Sequence, residues 1–388
     1  MDLYVLDELL RSEEVVDYYE SLIWTERYSS YGDFELVINA NRGTRVLFVP
    51  GTRLAIDKSY RLMTVETVEN AVDSEGVAKL KVTGRSAEAG LEDRSTRPAF
   101  AAGATPAPEI TIIGTPGDIA RAVFDAYCRN NIDIPEDNLP FLVAGSLLPA
   151  GTIPEPTDTI SVTIGLSTVY EFIKNVCDVY NLGFRLLLDR PTSKLYFDVY
   201  TGTDRTTLQN AVPAVIFSQE LENLANPSEL TSVAQLKNVA YVFGENGTEV
   251  VYADNVSPTT AGFERRVLIV DASGITEPAG PTLTALLQQK GKEELSKYRA
   301  VLAFDAEIPK FGSYVYGVDY GLGDLLETRN SDRLATNMRV TEQIFISDAE
   351  GERSYPTLVI DQLITPGSWY AWDASQVWDD ADEFWEDA

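Results

Sequence analysis

Three carboxylates stand close together late in the chain: Asp319, Asp324 and Glu327. Two carboxyl groups held roughly 5 to 10 Å apart can hydrolyse a glycosidic bond, one as the acid and the other as nucleophile or base. Among sixty acidic residues, however, a close pair carries little information by itself. Asp324 also has a second task open to it. It ends Gly321-Leu322-Gly323-Asp324, where two glycines let the backbone turn sharply and the carboxylate can accept N–H groups at the corner. Other chemistries lack their parts. The chain has no histidine, which removes Ser-His-Asp and Cys-His catalysis, His-ligated zinc and the commonest general base. The two cysteines, Cys128 and Cys177, cannot make a tetrahedral thiolate site, and both fall in apolar helical patterns, as expected of buried reduced thiols. No phosphate-binding loop, dinucleotide fingerprint or EF-hand is spelled out. Asp73-Ser74-Glu75-Gly76 and Asp348-Ala349-Glu350-Gly351 read as turns. No catalytic, cofactor-binding or metal residue is assigned from the sequence, and no cofactor is expected.

The elements around the corner read as β-structure. Tyr314, Tyr316, Val318 and Tyr320 alternate with other residues, which predicts a strand running into the corner. A second strand places Val340, Ile344 and Ile346 on one face, with Glu342 among them. A hairpin turn at Asp348 to Gly351 then leads to Thr357-Leu358-Val359-Ile360. The result is a small antiparallel barrel or sheet with Gly-Leu-Gly-Asp at its corner.

Residues 1 to about 97 read as one all-β unit. Phe34, Leu36 and Ile38 alternate along a strand entered through Gly32-Asp33. Met63 and Val65 lie on another. Ala78, Leu80 and Val82 face inward opposite Lys79 and Lys81, and residues 84 to 91 close the unit with a helical turn. Pro98 to Gly114 reads as a crossover or linker. Thr115 then caps a helix with Pro116 at its first position and an apolar face of Ile119, Ala122, Val123, Ala126 and Tyr127. Thr168 and Glu171 open a second helix with the stripe Val169, Phe172, Ile173, Val176 and Tyr180, and Gly183 is placed as its stop. Strands at 184–188 and 195–200 follow, then strand-like runs at 215–218, 238–244 and 266–270. A helix over 283–299 turns Leu283, Leu286, Leu287, Leu295 and Tyr298 inward, with Glu293 and Lys297 paired outside.

Composition sets the outer limits. The 388 residues carry 31 Lys and Arg against 60 Asp and Glu, a net charge of −29. Such a surface repels nucleic acid and anionic membranes. Tyr and Phe are plentiful, which suits β-rich structure. No 18-residue apolar run and no basic N-terminal leader is present, so neither a transmembrane helix nor a signal peptide is expected, and folding is expected in a cytoplasm. The tail, 367–388, holds four of the five tryptophans, seven acids and no base. Val377, Trp378, Ala381, Phe384, Trp385 and Ala388 line one face of a helix too short to be stable alone. It must dock, on its own protein or on a partner.

Three blocks together resemble a known family. Ser21-Leu22-Ile23-Trp24-Thr25-Glu26-Arg27-Tyr28, followed by Tyr31-Gly32-Asp33-Phe34-Glu35-Leu36, resembles the N-terminal signature of siphovirus minor tail proteins of the tail-hub type, common in phages of actinobacteria. Val82-Thr83-Gly84-Arg85-Ser86 with Leu91-Glu92-Asp93-Arg94 is similar to the family's next block. Tyr316 to Asp324 followed by Arg339-Val340-Thr341-Glu342 is similar to its late barrel, and Asn238 to Gly244 adds a fourth block. The likeness spans about residues 1–365.

The resemblance implies an α+β, β-rich baseplate-hub fold: two tail-tube-like antiparallel β-barrel domains with α/β insertions. The division expected is 1–104 for the first barrel, 105–212 for an α+β insertion, 213–366 for the second barrel with a helical insertion, and 367–388 for the acidic tail. It further implies a non-enzymatic structural protein of the virion tail tip, a homotrimer forming a ring. Its partners would be the distal tail protein and tail tube, the tape measure protein, and tip or fibre proteins. Genomic DNA would pass through without specific binding, and no membrane insertion is implied. The alternatives are a tail-associated hydrolase of the host wall, working through Asp319 or Asp324, and a carbohydrate-binding tip that stacks the tail tryptophans on sugars.

Overall fold

The computed structural model describes residues 1–72, 76–96, 110–132, 134–218, 220–253, 256–275, 277–299, 301–307, 314–329 and 335–360. The turn reading at 73–75, the linker reading at 98–109 and the helix reading of the tail lie outside them. The chain divides into two compact units, one of residues 1–230 with 303–361, the other built on residues 231–302.

In the first unit, the β-strands from the two ends of the sequence join one sheet of thirteen strands. The seam is antiparallel pairing of Ser21–Arg27 with Ala335–Asp348, in which Trp24 faces Phe345 and Glu26 faces Gln343. From there the sheet continues through Asp33–Asn39, Ala78–Ser86, Met63–Val72, Arg53–Ile56 and Leu3–Leu6 to an edge at Ser12–Val16. No closed barrel is found among the described residues. The predicted alternation holds: Phe34, Leu36, Ile38, Leu80 and Val82 are buried, with Trp24 and Met63 in the same core. The Asp348 to Gly351 hairpin is also present, with Gly351 at φ +112°.

A bulge corrects the face assigned to the Ala335–Asp348 strand. Its register with Gly351–Ile360 slips between Val340 and Glu342. One extra residue reverses the alternation, so Val340 is buried but Gln343 and Phe345, not Ile344 and Ile346, point inward beyond it.

Two helices, Pro116–Phe124 and Val169–Val179, share a core with Phe184, Leu186, Leu188 and Leu195 of the hairpin Gly183–Asp189 and Lys194–Tyr200. Both N-caps form as read: Thr115 accepts the Asp118 N–H and Thr168 that of Glu171. The first helix buries Ala120 and Phe124 rather than Ala122 and Ala126. Its continuation as a π-helical turn over Asp125–Arg129 brings Cys128 into the core. Cys128 and Cys177 are free and buried, and burial pushes the Cys128 thiol up to about 12. The second helix stops at Asn181, which takes φ +53° in place of the expected Gly183. Gly183 is small for another reason: an added Cβ would meet the Tyr28 ring at 2.3 Å.

The second unit is a three-stranded sheet, ordered Thr248–Tyr252, Val239–Gly244, Val267–Ala272, with the helix Pro281–Ser296 on one face. Leu283, Leu286, Leu287 and Leu295 are buried as expected. The outer ion pairs are made by Glu294, with Lys290 and Lys297 at 3.0 Å each, instead of Glu293 with Lys297. No helix among the described residues is long and apolar enough to cross a membrane.

Candidate functional site

The segment before the corner is a turn, not the strand that alternation predicted. Gly317 takes φ +80°, and Asp319 accepts the Val315 N–H at 2.7 Å, closing the loop on itself. Its aromatic residues still cluster. Tyr320 sits edge-on to Phe217 and Tyr316, and Tyr316 edge-on to Phe345, at 5.4 to 5.6 Å. The alternation thus reports contact with aromatic neighbours at a turn, which mimics strand spacing.

Asp324 does hold the corner. Its carboxylate accepts N–H groups from Thr203 at 2.7 Å, Arg205 at 2.8 Å and Gly321 at 2.9 Å. Burial pushes this carboxyl above its usual range, against the pull of those donors. Gly323, at φ +86°, lies so close to Tyr28 that a Cβ would meet the ring at 2.4 Å. Arg339 donates to the Gly323 carbonyl at 2.7 Å, and its guanidinium stands 5.5 Å from the centre of the Tyr28 ring. The Tyr28 hydroxyl reaches the carbonyls of Asn181 and Tyr200 at 2.9 and 3.2 Å. Residues about 300 positions apart, in the first and third sequence blocks, therefore meet at one point.

Beside the corner lies a cleft of about 300 Å³, lined in part by Glu26, Arg61, Arg185, Tyr200, Tyr316 and Asp324. Its charged side chains have partners. Glu26 accepts from Ser59 and, at 2.9 Å, from the Tyr316 hydroxyl. Arg61 pairs with fully buried Glu88 and donates to the Arg27 carbonyl at 3.0 Å, and Glu88 also accepts the Leu186 N–H at 2.6 Å. Arg185 pairs with Asp198 at 2.8 Å. Sequence reasoning missed Glu26, Arg61 and Glu88. The one available signal was the acid Glu26 on the strand that opens with the apolar run Leu22 to Trp24.

The three carboxylates proposed from spacing are not gathered around one reaction centre. Asp324 lines the cleft, Asp319 closes its own turn, and Glu327 accepts from Thr207 and from Arg329 at 2.8 Å. Burial opposes ionisation of Glu327, but Thr207 and Arg329 hold it below the usual range. Asp324 and Glu327 are thus shifted in opposite directions, as in an acid–base pair, yet Glu327 does not line the cleft. Among the described residues no group of three or more Asp, Glu or Cys is placed to hold a metal ion. What this arrangement does chemically is hold structure: Asp324 and Asp319 take three backbone N–H bonds, Asp324 and Glu327 one guanidinium N–H bond each, and Glu327 one hydroxyl bond.

The fold is that of phage tail proteins. It aligns with the tail protein from Neisseria meningitidis MC58 at a TM-score of 0.56 and 15% identity, covering 94% of this chain and 98% of that one. The 43 kDa tail protein of prophage MuSo2 from Shewanella oneidensis aligns at 0.55 and 13%, covering 93% and 98%. Prophage tail protein gp18 from Listeria monocytogenes EGD-e aligns at 0.50 and 10%, covering 98% and 100%. The chain belongs to the Siphovirus ReqiPepy6 Gp37-like protein family, whose model matches residues 2–358. No curated protein matches its sequence. The chain is thus a member of a siphovirus protein family with the fold of phage tail proteins.

Proposed function

We propose that this chain is a phage tail protein, the protomer of a trimeric tail-tip hub. Three copies form a ring in which each chain supplies two tube-like β units. The ring joins the tail tube and distal tail protein to the tape measure protein and the tip or fibre proteins, and DNA leaves through it. The observation that carries this reading is that a siphovirus protein family covers residues 2–358 of a chain with the fold of phage tail proteins, in which Asp319 and Asp324 hold backbone. The net charge of −29 supports a channel, since acidic walls repel phosphate and DNA slides without adhering. On this reading the protein has no enzymatic activity.

The test is the mass of the purified protein in solution with negative-stain images of the same sample. A trimer with a central hole is expected, because a stable ring buries large interfaces. A monomer at every concentration that digests peptidoglycan, and loses that activity on Asp324→Asn or Asp319→Asn, overturns the reading in favour of a wall hydrolase.

A further inference from the structure

The sheet of the 231–302 unit has two apolar faces and one helix. The face under the Pro281–Ser296 helix holds Ala240, Val242, Val251 and Val270. By strand alternation and register, the other face carries Tyr241, Phe243, Val250, Tyr252, Val267 and Ile269, with Asp271 at one end and Val239, which is buried, at the other. Of these, Phe243 and Val250 are each 47% exposed and Ile269 is 75% exposed. The central strand pairs in parallel with Val267–Ala272, and both read as continuous apolar runs, Val239 to Phe243 and Val267 to Val270. Strands in parallel pairing with unbroken apolar sequence belong to sheets covered on both sides. An exposed patch of this kind marks a docking surface.

We propose that this outer face is the seat of the chain's own acidic, tryptophan-rich tail, residues 367–388. Three observations select that occupant. The tail pattern supplies a complementary apolar stripe, Val377, Trp378, Ala381, Phe384 and Trp385, on a helix that needs a surface to form. Charge opposes the match least here: the tail has seven acids and no base, and the 231–302 unit is the least acidic part of the chain, with seven Lys and Arg against eight Asp and Glu. Arg265 stands at this face, 5.7 Å from the centres of both the Tyr241 and Tyr252 rings, and donates to the Tyr241 hydroxyl and the Thr260 carbonyl at 3.2 Å each, so the face carries a cation. Length suffices as well. Sixteen residues, 361–376, lie between the last strand and the helical pattern. Extended, they span up to ~55 Å, whereas a domain the size of this unit has a radius of gyration of ~11 Å.

The tail's four tryptophans report on the contact, because the fifth, Trp24, is fully buried in the other unit and contributes a constant signal. Acrylamide quenching and emission wavelength are measured on the full chain and on Ile269→Asp and Phe243→Asp, with Val318→Asp, 75% exposed in the other unit, as the control. Wild type and the control are expected to show shielded, blue-shifted emission. Ile269→Asp and Phe243→Asp are expected to shift it to the red and raise quenching to that of the free 367–388 peptide, with the circular dichroism spectrum unchanged. Equal quenching in all four proteins overturns the proposal. So does shielding that disappears on dilution together with a fall in mass, which assigns the tail to a second copy. Neither outcome depends on whether the protein is a hub, since the trimer is scored separately by mass.

Discussion

Removing the charge of Asp324 separates a carboxylate that holds backbone from one that performs a reaction. Its side chain is nearly buried, and it accepts three N–H groups, one from a guanidinium. In Asp324→Asn the Arg205 bond loses its charge partner and an amide N–H must face a donor. The expected loss is about 2–3 kcal/mol of stability, seen as a lower Tm. A reacting carboxylate would behave otherwise, since its replacement commonly leaves stability unchanged or improved. The sign of the pH dependence differs between neighbours. The raised Asp324 favours the folded state most below its unfolded value, and that contribution declines as pH rises towards its folded value. The lowered Glu327 contributes above its unfolded value and loses that contribution as pH falls through its folded one. Denaturation midpoints of Glu327→Gln should therefore lie below wild type at neutral pH and converge on it in acid, below about pH 4. A constant gap across that range would show that the hydrogen-bond geometry, not the charge, is what Glu327 supplies.

At the scale of elements, legibility followed distance along the chain. Both N-caps, the short-range hairpins and the buried faces of the N-terminal strands were readable, because each rests on residues within a few positions of one another. The Ser21–Arg27 strand pairs with one more than 300 residues later, and no local pattern announces such a partner. The bulge at Thr341 was unreadable for a related reason: one unpaired residue is defined by the opposing strand. The corner itself was legible in part. Gly321-Leu322-Gly323-Asp324 declared a turn, but the Tyr28, Gly202 and Arg339 contacts that lock it come from elsewhere in the fold. Gly183 shows how a correct residue can be given the wrong reason. It was read as a helix stop, a position where alanine costs only backbone strain. The structure makes it a gap for the Tyr28 ring, with a Cβ contact of 2.3 Å. Gly183→Ala is accordingly expected to lose about 2–3 kcal/mol through overpacking. Asn181→Gly, at the true left-handed stop, should change stability by less than about 1 kcal/mol. Equal effects at the two positions, measured by urea denaturation, would restore the helix-stop reading of Gly183.

For the whole molecule the dominant quantity is charge. Exposed ion pairs such as Lys81 with Glu35 at 3.0 Å contribute about 0–1 kcal/mol each, and salt weakens them. Against them stands a net −29 on one chain, a self-repulsion that salt also weakens. The two effects oppose each other, and the excess of acids decides the sign. Raising ionic strength from about 0.01 M to 0.15 M shortens the screening length from roughly 30 Å to 8 Å. That removes repulsion across the molecule while leaving contacts at 3 to 4 Å largely intact. The Tm is therefore expected to rise over this range. In the proposed trimer the effect should be larger, because three copies would bring like charge together around one axis, so low salt should favour dissociation. Mass measured by light scattering across the same salt series tests this directly. A Tm that rises while the mass stays constant would place the repulsion within each chain. A Tm that falls with added salt would mean that the acids are already neutralised locally by their Arg and Lys partners, and the argument for a repelling channel wall would lose its electrostatic basis.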